Sequence, residues 1–108
     1  MNKTFKAIWT PIAERDLSEI IQYIASDSVS AAKKILTTLK TKADTLTSFP
    51  NRGRIVPELQ HVGVSSYKEL IVKRWRIIYR IDKQTVFVLA VMDSRRDLAS
   101  ILLERLLR

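Results

Sequence analysis

An alternating run near the middle of the chain limits what this sequence can fold into. One set of alternate positions is aromatic or β-branched: Trp75, Ile77, Tyr79 and Ile81. The intervening positions hold Arg74, Arg76, Ile78 and Arg80. Because successive side chains of a strand point to opposite faces of a sheet, we predict a strand with one face in a core and three arginines in a row on the other. The row is either a functional surface or simply a solvated face, and the pattern alone leaves both open.

The next run, residues 86–92, is apolar at both parities. A strand of this kind is covered on both faces and belongs inside the sheet. We expect its neighbours to be the alternating strand and a short N-terminal strand at residues 5–10. Another strand at residues 67–72 precedes the alternating one across a tight basic turn, and short connections make these three consecutive strands antiparallel.

Apolar residues spaced three and four apart predict a helical hairpin after the first strand. Thr10 is a suitable N-cap and Pro11 a suitable first residue for the first helix, which should end near Ala25. Ser28 is the expected cap of the second helix. The Phe-Pro pair at residues 49–50 should stop that helix, because proline disfavours helix at the preceding residue and lacks a backbone donor.

The rest of the chain completes an α+β fold. Residues 51–66 are expected to form an ordered loop with a short strand near 54–56. A last helix should be capped by Asp97 and carry an apolar stripe of Leu98, Ile101, Leu102 and Leu106. The expected order is β-α-α-β-β-β-α, a small antiparallel sheet packed by a helical hairpin plus a C-terminal helix, in one domain spanning residues 1–108.

The composition excludes several classes of site. The sequence has no cysteine and a single histidine, His61, so we expect neither a metal site nor a cofactor. Two glycines are too few for a phosphate-cradling loop. No signal peptide or membrane-length apolar run is visible, so we expect an unexported, cytoplasmic protein.

The charge points to an anionic partner. A formal net charge of +8 on 108 residues attracts nucleic acid or an acidic protein over long range. The candidate basic surface consists of Lys68, Arg74, Arg76, Arg80, Arg95 and Arg96, with Arg52 and Arg54 in the preceding loop. Because the planar fork of arginine suits phosphate and carboxylate equally, these residues do not distinguish the two partners. Metal-free RNA cleavage would also need a general base and a general acid, and the sequence offers no convincing pair.

Six short blocks follow one another along the chain. They are TPIAERDL (10–17), FPNRGR (49–54), VPEL (56–59), YKEL (67–70), WRIIYRI (75–81) and RRDL (95–98). In this order they resemble the signature blocks of the RelE/ParE superfamily of toxins. The resemblance implies a compact antiparallel sheet flanked by a helical hairpin. It also implies a toxin of a type II toxin–antitoxin pair, held in a hetero-oligomer by a cognate acidic antitoxin.

The resemblance implies one of two activities. RelE-like members cut messenger RNA in the ribosomal A site, and for that activity Lys68, Arg76 and Arg95 are the catalytic candidates. Such members commonly place a His or Tyr acid/base near the end of the last strand, where this sequence has Met-Asp-Ser at residues 92–94. ParE-like members lack that set and poison DNA gyrase, and the blocks at 53–59 and 95–98 resemble this branch more.

We therefore favour gyrase inhibition, with a ribosome-dependent mRNA endoribonuclease as the alternative and an inactive basic binding module as a third hypothesis. The predicted target-binding residues are Arg74, Arg76, Arg80, Arg95 and Arg96. Truncating a solvated surface arginine changes stability by no more than about 0.5 kcal/mol. On that basis Arg76→Ala is expected to leave the melting temperature nearly unchanged.

Overall fold

The computed structural model describes residues 4–106, apart from the side chains of Ala99, Leu102, Leu103 and Leu106. The strands are β1 (Lys6–Trp9), β2 (Arg54–Ile55), β3 (Lys68–Val72), β4 (Trp75–Asp82) and β5 (Thr85–Asp93). The helices are α1 (Pro11–Ala25), α2 (Val29–Asp44), α3 (Pro57–Gln60) and α4 (Leu98–Leu106), with a short 3-10 turn at Thr45–Thr47. Within residues 4–106 no helix has the length and apolarity that a bilayer crossing requires.

The helix ends follow the expected capping chemistry. The Thr10 hydroxyl accepts a hydrogen bond from the Ala13 N–H at 3.3 Å, and the Ser28 hydroxyl accepts one from the Ala31 N–H at 3.1 Å, which satisfies donors that each helix leaves free. Asp97 caps α4 by accepting bonds from the backbone and hydroxyl of Ser100. Of the stripe expected on α4, Leu102 and Leu106 lie outside the described side chains.

The sheet has the order β1-β5-β4-β3-β2. The prediction that β5 lies between β4 and the N-terminal strand is confirmed. β1 pairs with β5 in parallel, whereas the other pairs are antiparallel, so the sheet is mostly antiparallel. Parallel pairing requires a crossover between the two strands, and the helical hairpin lies on that connection.

Helices cover both faces of the sheet. On one face α1 and α2 pack over a core that includes Leu17, Leu39, Ile77 and Tyr79. On the other face a second core joins the sheet to α3 and α4 through Val56, Leu59, Ile78, Ala90, Met92 and Leu98. Because side chains alternate along β4, Ile77 and Tyr79 enter the first core and Ile78 enters the second. A bulge shifts the register against β5 between Ile78 and Tyr79.

The segment expected to be a loop is more ordered than the sequence suggests. Arg54–Ile55 pairs with β3 as a short edge strand, close to the predicted position. Pro57–Gln60 forms a single helical turn, too short for a periodic pattern to reveal. The opposite face of β4 is therefore largely covered, so the prediction of three arginines in a row on an open strand face is wrong: Arg76 is buried.

Tyr79 fixes the turn before β2. Its hydroxyl donates to the Pro50 carbonyl at 2.8 Å and accepts from the Gly53 N–H at 2.9 Å. A Cβ at Gly53 would lie 2.5 Å from the Glu69 carbonyl oxygen and 2.6 Å from the Tyr79 hydroxyl. Only glycine fits this position, because the chain there packs directly against the sheet.

Tyr79→Phe should lower the free energy of unfolding by about 1–3 kcal/mol, because it leaves the Gly53 N–H and the Pro50 carbonyl without their partner. Tyr23→Phe is the matched control, since Tyr23 is 79% exposed. Urea unfolding of both variants checks this. Equal stabilities for the two would show that the turn does not depend on the Tyr79 hydroxyl.

Candidate functional site

The arginines predicted to share one strand face are divided among three places. Arg74 lies in the β3–β4 turn, Arg76 is 6% exposed, and Arg80 lies over the Phe87 ring, 5.5 Å from its centroid. Trp75 pairs with Asp93 in the register of β4 and β5, so the β3–β4 turn and the end of β5 meet at one end of the sheet. This brings Arg74, Arg95 and Arg96 together and leaves Arg76 and Arg80 elsewhere.

These three arginines line a groove of about 480 Å³ between α1 and that end of the sheet. Its opposite wall is formed by α1 side chains, Asp16, Glu19, Ile20, Tyr23 and Ile24. The groove thus combines basic side chains with an exposed aromatic ring. Tyr23 was not predicted as a site residue because it lies off the apolar stripe of α1, and an exposed aromatic at such a position was the available signal.

Asp93 organises the basic wall of the groove. Its carboxylate accepts from Arg74 Nη2 at 2.9 Å and from Arg95 Nη2 at 2.9 Å. The Arg95 backbone N–H adds a further bond to Oδ1 at 2.9 Å. These bonds from Arg95, followed by that from Arg74, hold the pKa of Asp93 far below its usual range. Arg96 is exposed, and no ion pair links it to another described residue.

A separate ionic network lies on the other face of the sheet, beneath α3. Arg76 donates from Nε to Glu69 Oε1 at 2.6 Å and from both Nη atoms to Glu58, each at 2.7 Å. Arg54 Nε donates to the second Glu69 oxygen at 2.7 Å. The side chain of Glu69 has no exposed surface. Two cations therefore surround one buried carboxylate, and the second carboxylate comes from α3.

The hydrogen bonds between Arg76 and Glu58 shift the pKa of both groups. The hydrogen bonds from Arg76 lower the pKa of Glu58, and the bonds to Glu58 raise the pKa of Arg76 further above its already high value. Every edge of the Arg76 guanidinium is directed at a carboxylate. The expectation that Arg76→Ala would be nearly neutral for stability assumed a solvated side chain, and the structure removes that assumption.

The three RNase candidates do not converge. Lys68 begins β3, opposite Tyr79 in the register, Arg76 lies under α3, and Arg95 is bonded to Asp93 beside α1. Within residues 4–106 no hydrogen bond or ion pair joins any two of them. Among the described residues no cluster of potential metal ligands is present either.

The C-terminal helix is tied to this end of the molecule by Asp16. Its carboxylate accepts from the Val91 N–H at 3.0 Å and from Arg105 Nη1 and Nη2 at 2.9 and 3.0 Å. One α1 side chain therefore holds both β5 and α4. Nothing in the local pattern distinguished Asp16 from other acidic residues on α1, so sequence analysis missed this role.

Comparison with known proteins agrees with the fold and with the sequence blocks. Residues 7–98 match the family described as the ParE toxin of the type II toxin–antitoxin system parDE. The chain belongs to the ParE toxin family. This confirms the resemblance to the RelE/ParE superfamily and identifies the chain as a toxin of the type II toxin–antitoxin class.

Relatives of both branches are similar to this ParE-family toxin. Toxin RelE2 of Caulobacter vibrioides is 36% identical over 67 residues, which cover 62% of this chain and 68% of RelE2. Toxin ParE3 of the same species is 26% identical over 96 residues, which cover 88% of this chain and 92% of ParE3. The sequence relatives therefore carry the names of both superfamily branches.

Two solved structures share the fold. A chain of the chromosomal ParDE system from P. aeruginosa superposes with a TM-score of 0.68 at 18% identity, covering 85% of this chain and 98% of that one. A chain of the RelBE2 toxin–antitoxin complex from Mycobacterium tuberculosis gives 0.63 at 22% identity, covering 83% and 91%. At these identities the likeness establishes the architecture.

Arg76→Met should lower the free energy of unfolding of the ParE-family toxin by about 3–5 kcal/mol, because the buried Glu69 carboxylate would lose its main partner. The double variant Arg76→Met, Glu69→Met should recover most of the lost stability, since it removes the buried carboxylate as well as the guanidinium. Arg54→Ala serves as the exposed control, since its side chain is 61% exposed, and should cost much less. Chemical unfolding of the four proteins checks this; a loss below 1 kcal/mol for Arg76→Met would contradict the network's importance.

The depressed pKa of Asp93 predicts an acid-sensitive end of the sheet. A carboxylate with a lower pKa in the folded state adds stability above its unfolded pKa of about 4, and this is lost as pH falls towards the folded value. Asp93→Asn should therefore lose less stability than the wild type between about pH 5 and pH 2. Unfolding measured across that range checks this, with exposed Asp27→Asn as control. Parallel pH profiles for Asp93→Asn and wild type would refute it.

Proposed function

We propose that this toxin acts by binding DNA gyrase and does not cut RNA. The observation that carries the proposal is the occupied guanidinium of Arg76. An arginine that stabilises a pentavalent phosphate must direct donors at the phosphate oxygens. Here Nε and both Nη atoms are bonded to Glu58 and Glu69 at 2.6–2.7 Å, and the two carboxylates would repel a phosphate placed beside them.

Proton transfer is also poorly supported. The acidic side chain at the end of β5 is Asp93, whose low pKa leaves it without a proton to donate near neutral pH. His61, the single histidine, is exposed at the end of α3. Lys68 and Arg95 are directed to different parts of the molecule, so neither complements Arg76 as a catalytic partner.

A binding function makes better use of the groove beside α1. Arg96 and Tyr23 are exposed there, and arginine and tyrosine are frequent anchors of protein interfaces. The Asp93 carboxylate holds Arg74 and Arg95 in place, so little side-chain entropy remains to be lost when a partner binds. We assign the groove as the surface that contacts gyrase, with Arg74, Arg95, Arg96 and Tyr23 as its contact residues.

The proposed regulator is an acidic antitoxin. The support is the +8 charge of the chain and its fold relation to chains solved as ParDE and RelBE2 toxin–antitoxin systems. Opposite charge speeds the encounter of such partners. A short neighbouring reading frame that encodes a ribbon–helix–helix segment and an acidic tail would identify this antitoxin.

Arg95→Ala combined with Arg96→Ala should abolish toxicity at equal expression and weaken inhibition of gyrase supercoiling by about thirtyfold, the result of losing about 2 kcal/mol of binding. Arg15→Ala with Arg52→Ala is the matched control, because it removes the same charge from exposed positions outside the groove. Thermal melting of both double variants establishes that each remains folded.

The same purified toxin should leave messenger RNA intact on translating ribosomes. Primer extension after toxin addition measures this. Codon-positioned cleavage without any effect on gyrase would favour the endoribonuclease alternative. The support for that alternative is the 36% identity to toxin RelE2. Full toxicity of the groove variant with gyrase still inhibited would instead place the gyrase contact on another surface.

A further inference from the structure

Five of the arginines within residues 4–106 are paired with carboxylates, so they contribute little to the net positive charge of the surface. Arg54, Arg74, Arg76, Arg95 and Arg105 all form ion pairs with carboxylates. The acidic residues therefore neutralise much of the arginine charge within the fold. The net charge of +8 is left mainly to cations that have no acidic neighbour, and several of these are lysines.

Three such lysines share one surface. Lys33 and Lys34 on α2 line a shallow depression of about 440 Å³ together with Lys73 of the β3–β4 turn. The remaining lining residues are Thr37 and Thr38, and no carboxylate contributes to it. Within residues 4–106 none of the three lysines forms an ion pair. Lys40 on the same helix differs, because it pairs with Glu14 at 3.0 Å and lies 4.3 Å from the Trp9 ring centroid.

The three lysines reach this depression from two elements, α2 and the β3–β4 turn. Lys73 has a positive φ of 56° in the β3–β4 turn, as Lys83 has one of 58° in the β4–β5 turn, so this conformation is a property of the tight turns. Three ammonium groups around one depression repel one another, and a bound anion relieves that repulsion. The Thr37 side chain is exposed and makes no hydrogen bond to another described residue, so its hydroxyl can donate to a ligand.

We infer that this lysine–threonine surface, defined as Lys33, Lys34, Thr37, Thr38 and Lys73, binds the phosphate backbone of duplex DNA. The lysine ammonium groups and the Thr37 hydroxyl can donate to phosphate oxygens, contacts that carry no sequence information directly, whereas the Thr38 hydroxyl donates to the Lys34 carbonyl at 2.8 Å. The surface has no aromatic ring among its lining residues, so it lacks the stacking platform typical of single-strand binding. It also lacks the large apolar anchors of a protein interface, where lysine is depleted.

The choice of DNA over RNA rests on the proposed gyrase target, whose substrate is duplex DNA. On that reading the toxin contacts both the enzyme and the DNA it holds. The groove and the lysine–threonine surface are formed by different residues, except that the β3–β4 turn supplies Arg74 to one and Lys73 to the other. A single turn therefore links the two surfaces.

The test measures binding of the toxin alone to a fluorescently labelled duplex of about 20 base pairs, by anisotropy across salt concentrations from about 50 to 200 mM. The triple variant Lys33→Gln, Lys34→Gln, Lys73→Gln should bind at least about tenfold more weakly, and its salt slope should fall by about 2–3 because three phosphate contacts are lost. The corresponding Lys→Arg triple should retain binding. Two duplexes of unrelated sequence should bind alike.

The matched control is Lys6→Gln, Lys42→Gln, Lys83→Gln, which removes the same charge from exposed positions outside the surface. An equal loss in this control would overturn the inference, because binding would then reflect net charge alone. Binding to an RNA duplex or to polyglutamate, with none to DNA, would overturn it as well. Since no gyrase is present, the result is independent of whether gyrase is the target. Melting curves of all variants exclude unfolding as the cause of any loss.

Discussion

Glu69 is a carboxylate with no exposed surface, and the hydrogen-bond donors that reach it come from two neighbouring strands on one face of the sheet. A buried charge without a partner costs several kcal/mol, so cations must reach it. Arg76 comes from the neighbouring strand and Arg54 from the edge strand β2. Arg76 in turn attracts Glu58 on α3. Through Arg76 and Arg54 this buried carboxylate links β3 to β4, β2 and α3. These ionic bonds add to the apolar packing of Val56 and Leu59, which also holds the single-turn helix against the sheet.

The same network separates two uses of arginine within this toxin. Under α3 the buried guanidinium of Arg76 holds the fold together, with all three of its nitrogens bonded to carboxylates. On the opposite face of the sheet, where β4 begins, the Asp93 carboxylate positions Arg74 and Arg95 near the surface, where their remaining donors face solvent. The pairing of arginines with acids also means that unpaired lysines on α2 account for part of the long-range field. The composition gives only the net charge of the molecule, whereas the ion pairs with carboxylates determine where on the surface that charge remains.

The regular parts of the fold followed from local pattern. The caps at Thr10 and Ser28, the apolar stripes of the hairpin helices and the double parity of β5 each reflect a short-range rule, and each appears as expected. The arginine row did not, because parity shows that Arg74, Arg76 and Arg80 alternate with core residues but not what covers the opposite face. That face is covered by α3, a single turn with no detectable period, and by α4. Carboxylate partners distant in sequence, such as Glu58 for Arg76 and Asp16 for Arg105, leave no local signal at all.

The parallel pairing of β1 with β5 has a consequence for how the protein is made. The Thr10 hydroxyl donates to the Val88 carbonyl across 78 positions of sequence, and Asp16 meets Arg105 across 89. Contacts of such long range must wait until both ends of the chain are available, which slows folding relative to a fold of local contacts. During synthesis the N-terminal strand and the hairpin therefore leave the ribosome before the strand that completes their core. The sheet and the core under the hairpin therefore form only after β5 has left the ribosome.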